Sequence, residues 1–319
     1  MRVCIVEPRS TGGMIHYAYQ LADALAGAGL EVSLVTATDY ELAHLPHRFK
    51  AVPMLRLWTL YSAGGSTDVH GTLAKLAYRL TRLVQRGIRA LRLVREWLRL
   101  TGYLLRERPD IIQFGKIEFP FEGIFLAYMR ARGLCLTQVC HEFESREQGV
   151  WGAVISRFYT GVYGNFAFLF FHAESNRARF MELYPYPPER TAIIPHGNEG
   201  LFVQEAKAGA VSVDLRERYG IPAGVPVVLF FGNLTASKGL PDLLQAFARL
   251  DPASGARLLV AGYPTKFIDM DELHQMTGTL GITARVVFDS RYIPVEEVAA
   301  IMDLSAVVVY PYRSATQSG

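Results

Sequence analysis

The fold is decided by the stretch Phe230-Phe231-Gly232-Asn233-Leu234-Thr235-Ala236-Ser237-Lys238-Gly239. The apolar run at 225–231 predicts a strand that is buried on both faces. The residues that follow predict a helix, because five apolar side chains share one face: Leu240, Leu243, Leu244, Phe247 and Leu250. Ligands of open α/β sheets bind beyond the carboxyl ends of strands, and a helix N-terminus there suits a phosphate. The stretch therefore predicts either a phosphate-binding loop with Lys238 as its cation or an ordinary loop with a solvated lysine.

Strands and helices alternate on both sides of this stretch. After it, strands are predicted at 257–262, 285–289 and 306–310, the last of them buried, and residues 199–212 are predicted to be a linker or surface loop. Before it, a strand at 2–6, a glycine loop and a helix at 14–28 lead to a strand at 31–36. Alternation of this kind predicts parallel sheets with right-handed crossovers. We therefore expect two α/β domains, residues 1–198 and residues 199–319.

Composition narrows the class of protein. The 319 residues are half hydrophobic and one fifth charged, as in a globular protein, and are enough for two domains. The net charge of +3 argues against general nucleic-acid binding. Cys4, Cys135 and Cys140 fit no zinc spacing, and each is predicted to lie in a buried strand as a reduced thiol. No signal peptide or long uncharged apolar run is found, so a cytoplasmic protein is expected.

Two adjacent glycines, Gly12 and Gly13, follow the first predicted strand. The dinucleotide fingerprint G-x-G-x-x-G is absent. The pair therefore has two interpretations: it lets a ligand approach the backbone closely, or it only makes the turn.

Residues 73–107 predict a long basic helix. One face carries Leu73, Leu76, Leu80, Leu83, Leu91, Val94 and Leu98, and the other side carries Lys75, Arg79, Arg82, Arg86, Arg89, Arg92 and Arg99. This pattern is typical of a helix attracted to an anionic membrane surface, with Arg79, Arg82, Arg86 and Arg89 as the contact residues. The alternative is a helix that packs on the core and solvates its arginines.

A polar cluster, His141-Glu142-Phe143-Glu144-Ser145-Arg146-Glu147, follows the strand predicted at 134–140. A histidine at a strand end can bond a substrate hydroxyl or move a proton, and we expect this of His141. The charged neighbours are more typical of a capped turn with solvated side chains.

Taken in order, the motifs resemble a known family. They are Gly12-Gly13, His141, Ile194-Pro195-His196-Gly197-Asn198, Gly232 with Lys238-Gly239, and the final Tyr310-Pro311-Tyr312-Arg313-Ser314-Ala315-Thr316-Gln317-Ser318-Gly319. This series resembles the GT-B glycosyltransferases, and within them family 4, the group-1 glycosyl transferases. The resemblance runs over nearly the whole chain, and its strength lies in the order of the motifs because no single motif is specific.

The resemblance implies two Rossmann-like parallel-sheet domains that face a cleft. It implies a nucleotide-sugar donor as co-substrate, an acceptor against the first domain, retention of anomeric configuration, and no bound metal or other cofactor. His141 would face the transferred sugar and Lys238 would contact the donor diphosphate. The full donor-binding set that it implies is Gly12, Gly13, His196, Gly197, Gly232, Asn233, Lys238, Thr316, Gln317, Ser318 and Gly319.

The sequence departs from the family pattern at two positions. Asn233 stands where many members carry arginine, and Thr316 stands where many carry the first glutamate of a Glu-x7-Glu pair. The carboxylate's role therefore does not transfer to this chain. Only four strands are predicted in the second domain, so we expect that domain to be incomplete and the chain, as given, to be inactive if it is truncated.

Three functions remain open at this point. The first is a glycosyltransferase of polysaccharide or glycolipid assembly, cytoplasmic and peripheral on the inner membrane face, with a sugar or lipid-linked acceptor. The second is a sugar-nucleotide epimerase of the same architecture, for which residues 142–147 hold the only candidate acids. The third is a donor-binding or scaffold remnant without activity, which Asn233 and Thr316 would explain.

Overall fold

The computed structural model describes residues 1–56, 72–141, 143, 150–198, 200–207, 214–265 and 268–313. Within 72–86, 150–156 and 204–207 it describes the backbone only. The chain divides into two compact units, unit 1 with residues 1–197 and unit 2 with residues 198–318. Thr316, Gln317, Ser318, Gly319 and the acids predicted at 142, 144 and 147 lie outside the described residues.

Unit 1 is built on a parallel sheet. Its strands are β1 (Arg2–Glu7), β2 (Glu31–Ala37), β3 (Lys50–Leu55), β4 (Ile111–Phe114), β5 (Leu136–Val139), β6 (Phe168–Phe171) and β7 (Thr191–Ile193). The described strands are ordered β3-β2-β1-β4-β5-β6-β7, and every neighbouring pair is parallel. The central strands are buried: β1 carries an apolar run, and β5 is buried although two of its four residues, Thr137 and Gln138, are polar.

Helices connect these strands and cover the sheet. They are α1 (Gly13–Gly27), α2 (Thr72–Glu107), α3 (Glu122–Ala131), α4 (Val150–Tyr163) and α5 (Glu174–Leu183). Phenylalanines such as Phe114, Phe166 and Phe180 fill the core between layers. Cys4 and Cys140 are buried as predicted, but Cys135, which directly precedes β5, is exposed.

Helix α2 buries a different face from the one that the apolar pattern suggested. In its described C-terminal part, Leu93, Trp97, Leu100 and Leu104 pack into the core at helical spacing. The face predicted from Leu91, Val94 and Leu98 is exposed, with Leu91 72% and Leu98 59% accessible. The helix therefore has two apolar faces, one toward the sheet and one toward solvent.

Unit 2 repeats the parallel architecture with four described strands. These are β8 (Val227–Phe231), β9 (Arg257–Ala261), β10 (Val286–Asp289) and β11 (Val307–Val308), in the order β10-β9-β8-β11. The helices are α6 (Gly200–Lys207), α7 (Leu215–Arg218), α8 (Leu240–Ala248), α9 (Met270–Thr279) and α10 (Val295–Leu304).

Three expectations for unit 2 are corrected. Residues 200–207, predicted as linker, form helix α6, whose residue Leu201 is buried. The strand predicted as buried at 306–310 shortens to β11 at the sheet edge, where Val307 is 49% exposed. Leu250 lies beyond the end of α8 and is exposed, whereas Leu240, Leu243, Leu244 and Phe247 are buried as predicted. A search of the described helices for a segment long and apolar enough to cross a bilayer finds none.

The two faces of α2 make a direct stability prediction. Leu104→Ala removes a fully buried side chain and should lower the free energy of unfolding by about 2–5 kcal/mol. Leu98→Ala is the matched control on the exposed face and should change it by less than about 0.5 kcal/mol. Urea unfolding followed by circular dichroism measures both, and equal losses would contradict the burial described above.

Candidate functional site

Two histidines stand side by side at the carboxyl edge of the unit 1 sheet. Strands β5 and β6 pair in parallel with Val139 opposite Phe170, so the chain beyond them carries His141 and His172 forward at the same offset. Their ring centroids are 4.9 Å apart. The predicted candidate His141 is therefore one of a pair, and His172 was missed by sequence reasoning although its position after the next strand is equivalent.

Tyr17 and His196 complete an aromatic cluster, which we define as Tyr17, His141, His172 and His196. The Tyr17 ring from α1 lies 4.7 Å from His141 and 5.1 Å from His172, edge-on in both cases. His196 lies 4.7 Å from His172 and 5.5 Å from Tyr17. Thus the structure brings together His141 and His196, which the sequence placed in different roles, and adds Tyr17, which no sequence pattern indicated.

Hydrogen bonding fixes the protonation of His172. Its Nδ1 lies 3.0 Å from the carbonyl oxygen of Ile194, so Nδ1 carries the proton and donates. Burial lowers the pKa of His172, and the neighbouring His196 lowers it further, although the bond to Ile194 opposes both effects. The neutral ring leaves a buried Nε2 lone pair that accepts no hydrogen bond from any described residue. Such an atom can accept a hydrogen bond from a hydroxyl.

The glycine loop between β1 and α1 is tied to Glu41. Gly12 has φ +87°, a conformation that favours glycine, and its N–H donates to Glu41 Oε1 at 2.7 Å. The same oxygen lies 2.6 Å from His16 Nε2. Gly13, by contrast, has open space where a side chain would be. The positive φ of the turn therefore explains the glycine at position 12. The absence of a side chain at Gly13 leaves the N-terminus of α1 accessible.

A buried carboxyl group ends strand β1. Glu7 is 1% exposed, and its Oε1 accepts the Arg9 backbone N–H at 3.0 Å, while Arg9 itself is ion-paired with Glu118. Burial raises the pKa of Glu7 to about 7, although the nearby Arg9 opposes the shift. Its Oε2 fills the space that a side chain on Gly115 would occupy, which explains the glycine at the end of β4. Glu7 therefore binds its proton at a pH much closer to neutral than an exposed glutamate does.

In unit 2 the opening stretch folds as its sequence predicts. Gly232 follows β8 with φ +109°, residues 236–238 form one turn of 3-10 helix, and Gly239 adopts φ +68° before α8 begins. The Lys238 ammonium lies over the Gly232 backbone, 2.8 Å from where a Cβ would be, and 5.3 Å from the Tyr312 ring centroid. None of the described carboxylates forms an ion pair with Lys238. A cation is thus placed beside a helix N-terminus.

The loop that follows β9 packs against the loop that follows β8. Gly262 follows β9, and a side chain there would overlap the Gly232 carbonyl, so the two backbones pack directly. Leu234 donates its N–H to Tyr263 at 2.8 Å and accepts the Thr265 N–H at 3.0 Å. Gly262 was not singled out in the sequence, although it follows a strand as Gly232 does.

The segment before residue 314 is fastened to the start of α8. Arg313 donates two hydrogen bonds to Asp242, at 2.5 and 2.6 Å, and its backbone N–H donates to Ser237 at 2.9 Å. This pair is exposed, so it orients the segment more than it stabilises it. Asn233 is exposed where many family members carry arginine.

Metal binding has no candidate in the described part of the chain, where no three histidine, cysteine or acidic residues converge suitably. The imidazoles of the aromatic cluster contact each other through their rings, so they form a polar and aromatic surface.

Gly197, after His196, is exposed with open space around it.

Comparison with solved structures places the fold among GT-B glycosyltransferases. Sucrose-phosphate synthase from Thermosynechococcus elongatus matches with a TM-score of 0.63 and 17% identity, over 99% of this chain and 77% of its own. Anabaena HepE in complex with UDP-glucose gives 0.62 and 17%, over 100% and 76%. WaaG, a glycosyltransferase involved in lipopolysaccharide biosynthesis, gives 0.55 and 15%, over 97% and 75%. No curated protein sequence matches the chain.

Family profiles identify the chain more closely. Residues 11–198 match Glycosyltransferase Family 4, and residues 225–319 match Glycosyl transferases group 1. The chain therefore belongs to glycosyltransferase family 4, as its motifs indicate, and the predicted GT-B fold is confirmed.

Buried Glu7 makes stability depend on pH. Its pKa is about 7 in the folded protein and near 4.5 when unfolded, so the folded state binds the extra proton between these values. Stability should fall as pH rises through this window, and Glu7→Gln should remove about 1–3 kcal/mol of that fall. Urea unfolding at a series of pH values measures it, with the exposed Glu31→Gln as control. Parallel pH profiles for wild type and Glu7→Gln would refute it.

Proposed function

We propose that this glycosyltransferase moves a sugar from a nucleotide-sugar donor to an acceptor, with retention of configuration, in polysaccharide or glycolipid assembly. The observation that carries the donor assignment is the position of Lys238 over Gly232, at the carboxyl end of β8 and the start of α8. A diphosphate fits this loop because backbone N–H groups, the helix dipole and the ammonium all favour negative charge. As the sugar leaves, they would stabilise the charge that develops on the diphosphate.

The choice of nucleotide and the acceptor side of the site rest on separate observations. HepE has been solved with UDP and with UDP-glucose, so UDP is the first nucleotide to test here. In unit 1, the aromatic cluster offers His141, the proposed catalytic residue, and the His172 Nε2 lone pair to sugar hydroxyls. The epimerase alternative has no such support because its candidate acids lie outside the described residues.

Removal of the Lys238 ammonium tests the donor site. Lys238→Ala should weaken UDP binding about 10- to 100-fold, because a hydrogen bond to a charged group contributes about 1.5–3 kcal/mol. Isothermal titration calorimetry with UDP and GDP measures the change and identifies the base.

Arg249→Ala is the matched control, since it removes one positive charge at the opposite end of α8. Equal binding by all three proteins would move the donor site away from this loop. A separate assay uses chromatography to detect released UDP and the glycosylated acceptor. Both products would identify an active transferase, and their absence would identify a protein that only binds the donor.

We further propose that α2 docks on an anionic membrane surface. Its solvent-facing apolar stripe, Leu91, Val94 and Leu98, lies beside the exposed arginines Arg92, Arg95 and Arg99. Arg95 and Arg99 pair with Glu96, whereas Arg89 and Arg92 form no ion pair with any residue described. This arrangement is that of an interfacial helix, in which apolar groups insert and cations meet lipid phosphates. Arg89 is exposed as this requires; the side chains of Arg79, Arg82 and Arg86 lie outside the described part.

Vesicle flotation tests this surface. Arg89→Glu with Arg92→Glu should reduce binding to phosphatidylglycerol vesicles at least about tenfold, because each basic residue near such a surface contributes about 1 kcal/mol. Leu98→Asp should reduce binding as well, through loss of insertion.

The control is Ile124→Asp, which places the same charge at an apolar residue 71% exposed on α3. Binding that is absent in wild type, or that persists unchanged in the α2 variants, would refute membrane docking by this helix.

A further inference from the structure

An apolar cleft opens between α2 and the carboxyl ends of β1, β3 and β4. Hydrocarbon forms most of its wall, from Val6, Leu55, Leu93, Trp97, Leu100 and Phe114. The space inside it that a water-sized sphere can occupy is about 60 Å³, and the cleft opens to solvent on one side. The Trp97 indole stacks on the rings of Phe114 and Phe125, with centroid distances of 6.1 and 5.5 Å.

The acidic groups that line the cleft are engaged by the protein itself. Glu122 accepts the Trp97 indole N–H at 3.0 Å and the Glu118 N–H at 2.8 Å. Glu96 binds Arg99 at 3.0 Å and accepts the Arg56 N–H at 3.2 Å. Glu118, the third acid of the wall, is ion-paired with Arg9. All three carboxylates therefore already have partners, and burial of a hydrocarbon chain beside them removes no hydration from a polar ligand group.

The cleft is next to the proposed acceptor side of the site. Pro8 and Arg9, which line it, belong to the same β1–α1 loop as Gly12 and Gly13. Its other wall, α2, is the helix whose opposite face carries Leu91, Val94 and Leu98 toward solvent. One helix thus separates an exposed apolar stripe from an internal apolar cleft.

From these observations we propose that the cleft binds the hydrocarbon chain of an amphipathic, lipid-linked acceptor. This inference rests on the proposed transferase function and specifies the acceptor class. The chain lies along Leu93, Trp97 and Leu100, and the acceptor's polar head remains at the mouth near Arg9. Since burial of each methylene contributes about 0.8 kcal/mol, affinity rises with chain length until the cleft is filled.

Fluorescence of Trp97 tests this without any need for turnover. In a Trp58→Phe, Trp151→Phe protein, Trp97 is the single tryptophan left of the three in the sequence. An octyl glucoside with bromine at the chain end, kept below its micelle concentration, should quench Trp97 saturably. Unlabelled octyl glucoside should reverse the quenching, and methyl glucoside at the same concentration should not.

Variants locate the bound chain. Leu100→Phe fills the cleft and should weaken binding about tenfold or more. Ile124→Phe makes a comparable change at an exposed residue of α3 and should leave binding unchanged. Leu98→Asp tests whether the chain binds the exposed stripe of α2 instead of the cleft. If Leu100→Phe fails to fold, the competition experiment in the wild-type cleft still decides the question.

The outcomes distinguish this inference from the function on which it rests. Absence of saturable quenching, or its loss in Leu98→Asp, would overturn the cleft proposal, the latter by placing the chain on the exposed stripe. Saturable quenching in a protein that transfers no sugar would support the cleft and refute the transferase function. If sugar is transferred equally well to alkyl and methyl glucosides and no quenching is seen, the transferase function is supported and the proposal that the cleft binds a hydrocarbon chain is refuted.

Discussion

Parallel pairing of buried strands is the constraint on which the candidate site depends. Because neighbouring strands run in one direction, each delivers its following residue to the same edge of the sheet. The pairing of Val139 with Phe170 thereby sets His141 beside His172, and β1 brings the glycine loop to that edge. In unit 2 the same rule sets Gly232 beside Gly262. Backbone hydrogen bonds between strands thus bring together residues that are far apart in the sequence.

Sequence reasoning succeeds where one local pattern determines the structure. The apolar run, the glycine turn and the face of Leu240, Leu243, Leu244 and Phe247 each predict their element without reference to the rest of the chain. Sequence reasoning misses residues whose role in the site depends on how the strands pair. His172 and Gly262 follow strands as their partners do, but only the register shows that they meet. Tyr17 joins the cluster from helix α1, and its packing there cannot be predicted from the periodicity of the sequence.

Helix α2 shows a second kind of limit. A sequence with apolar residues on two sides identifies an amphipathic helix but not which side meets the sheet. Trp97 decides the matter in the structure, because its indole stacks on Phe114 and donates to Glu122. Leu91 and Leu98 are then directed outward. Packing of one large aromatic side chain thereby leaves a surface that a purely periodic description would have assigned to the core.

The contact of Glu7 with Gly115 has an evolutionary consequence. A carboxylate oxygen occupies the volume of the missing side chain, so the two positions share one space across neighbouring strands. A larger residue at position 115 would clash with the Glu7 side chain, and a shorter residue at position 7 would leave a void beside Gly115. Relatives that carry alanine at position 115 are therefore expected to carry a shorter residue at position 7. The two columns should covary, and variation at one should be rare wherever the other is held constant.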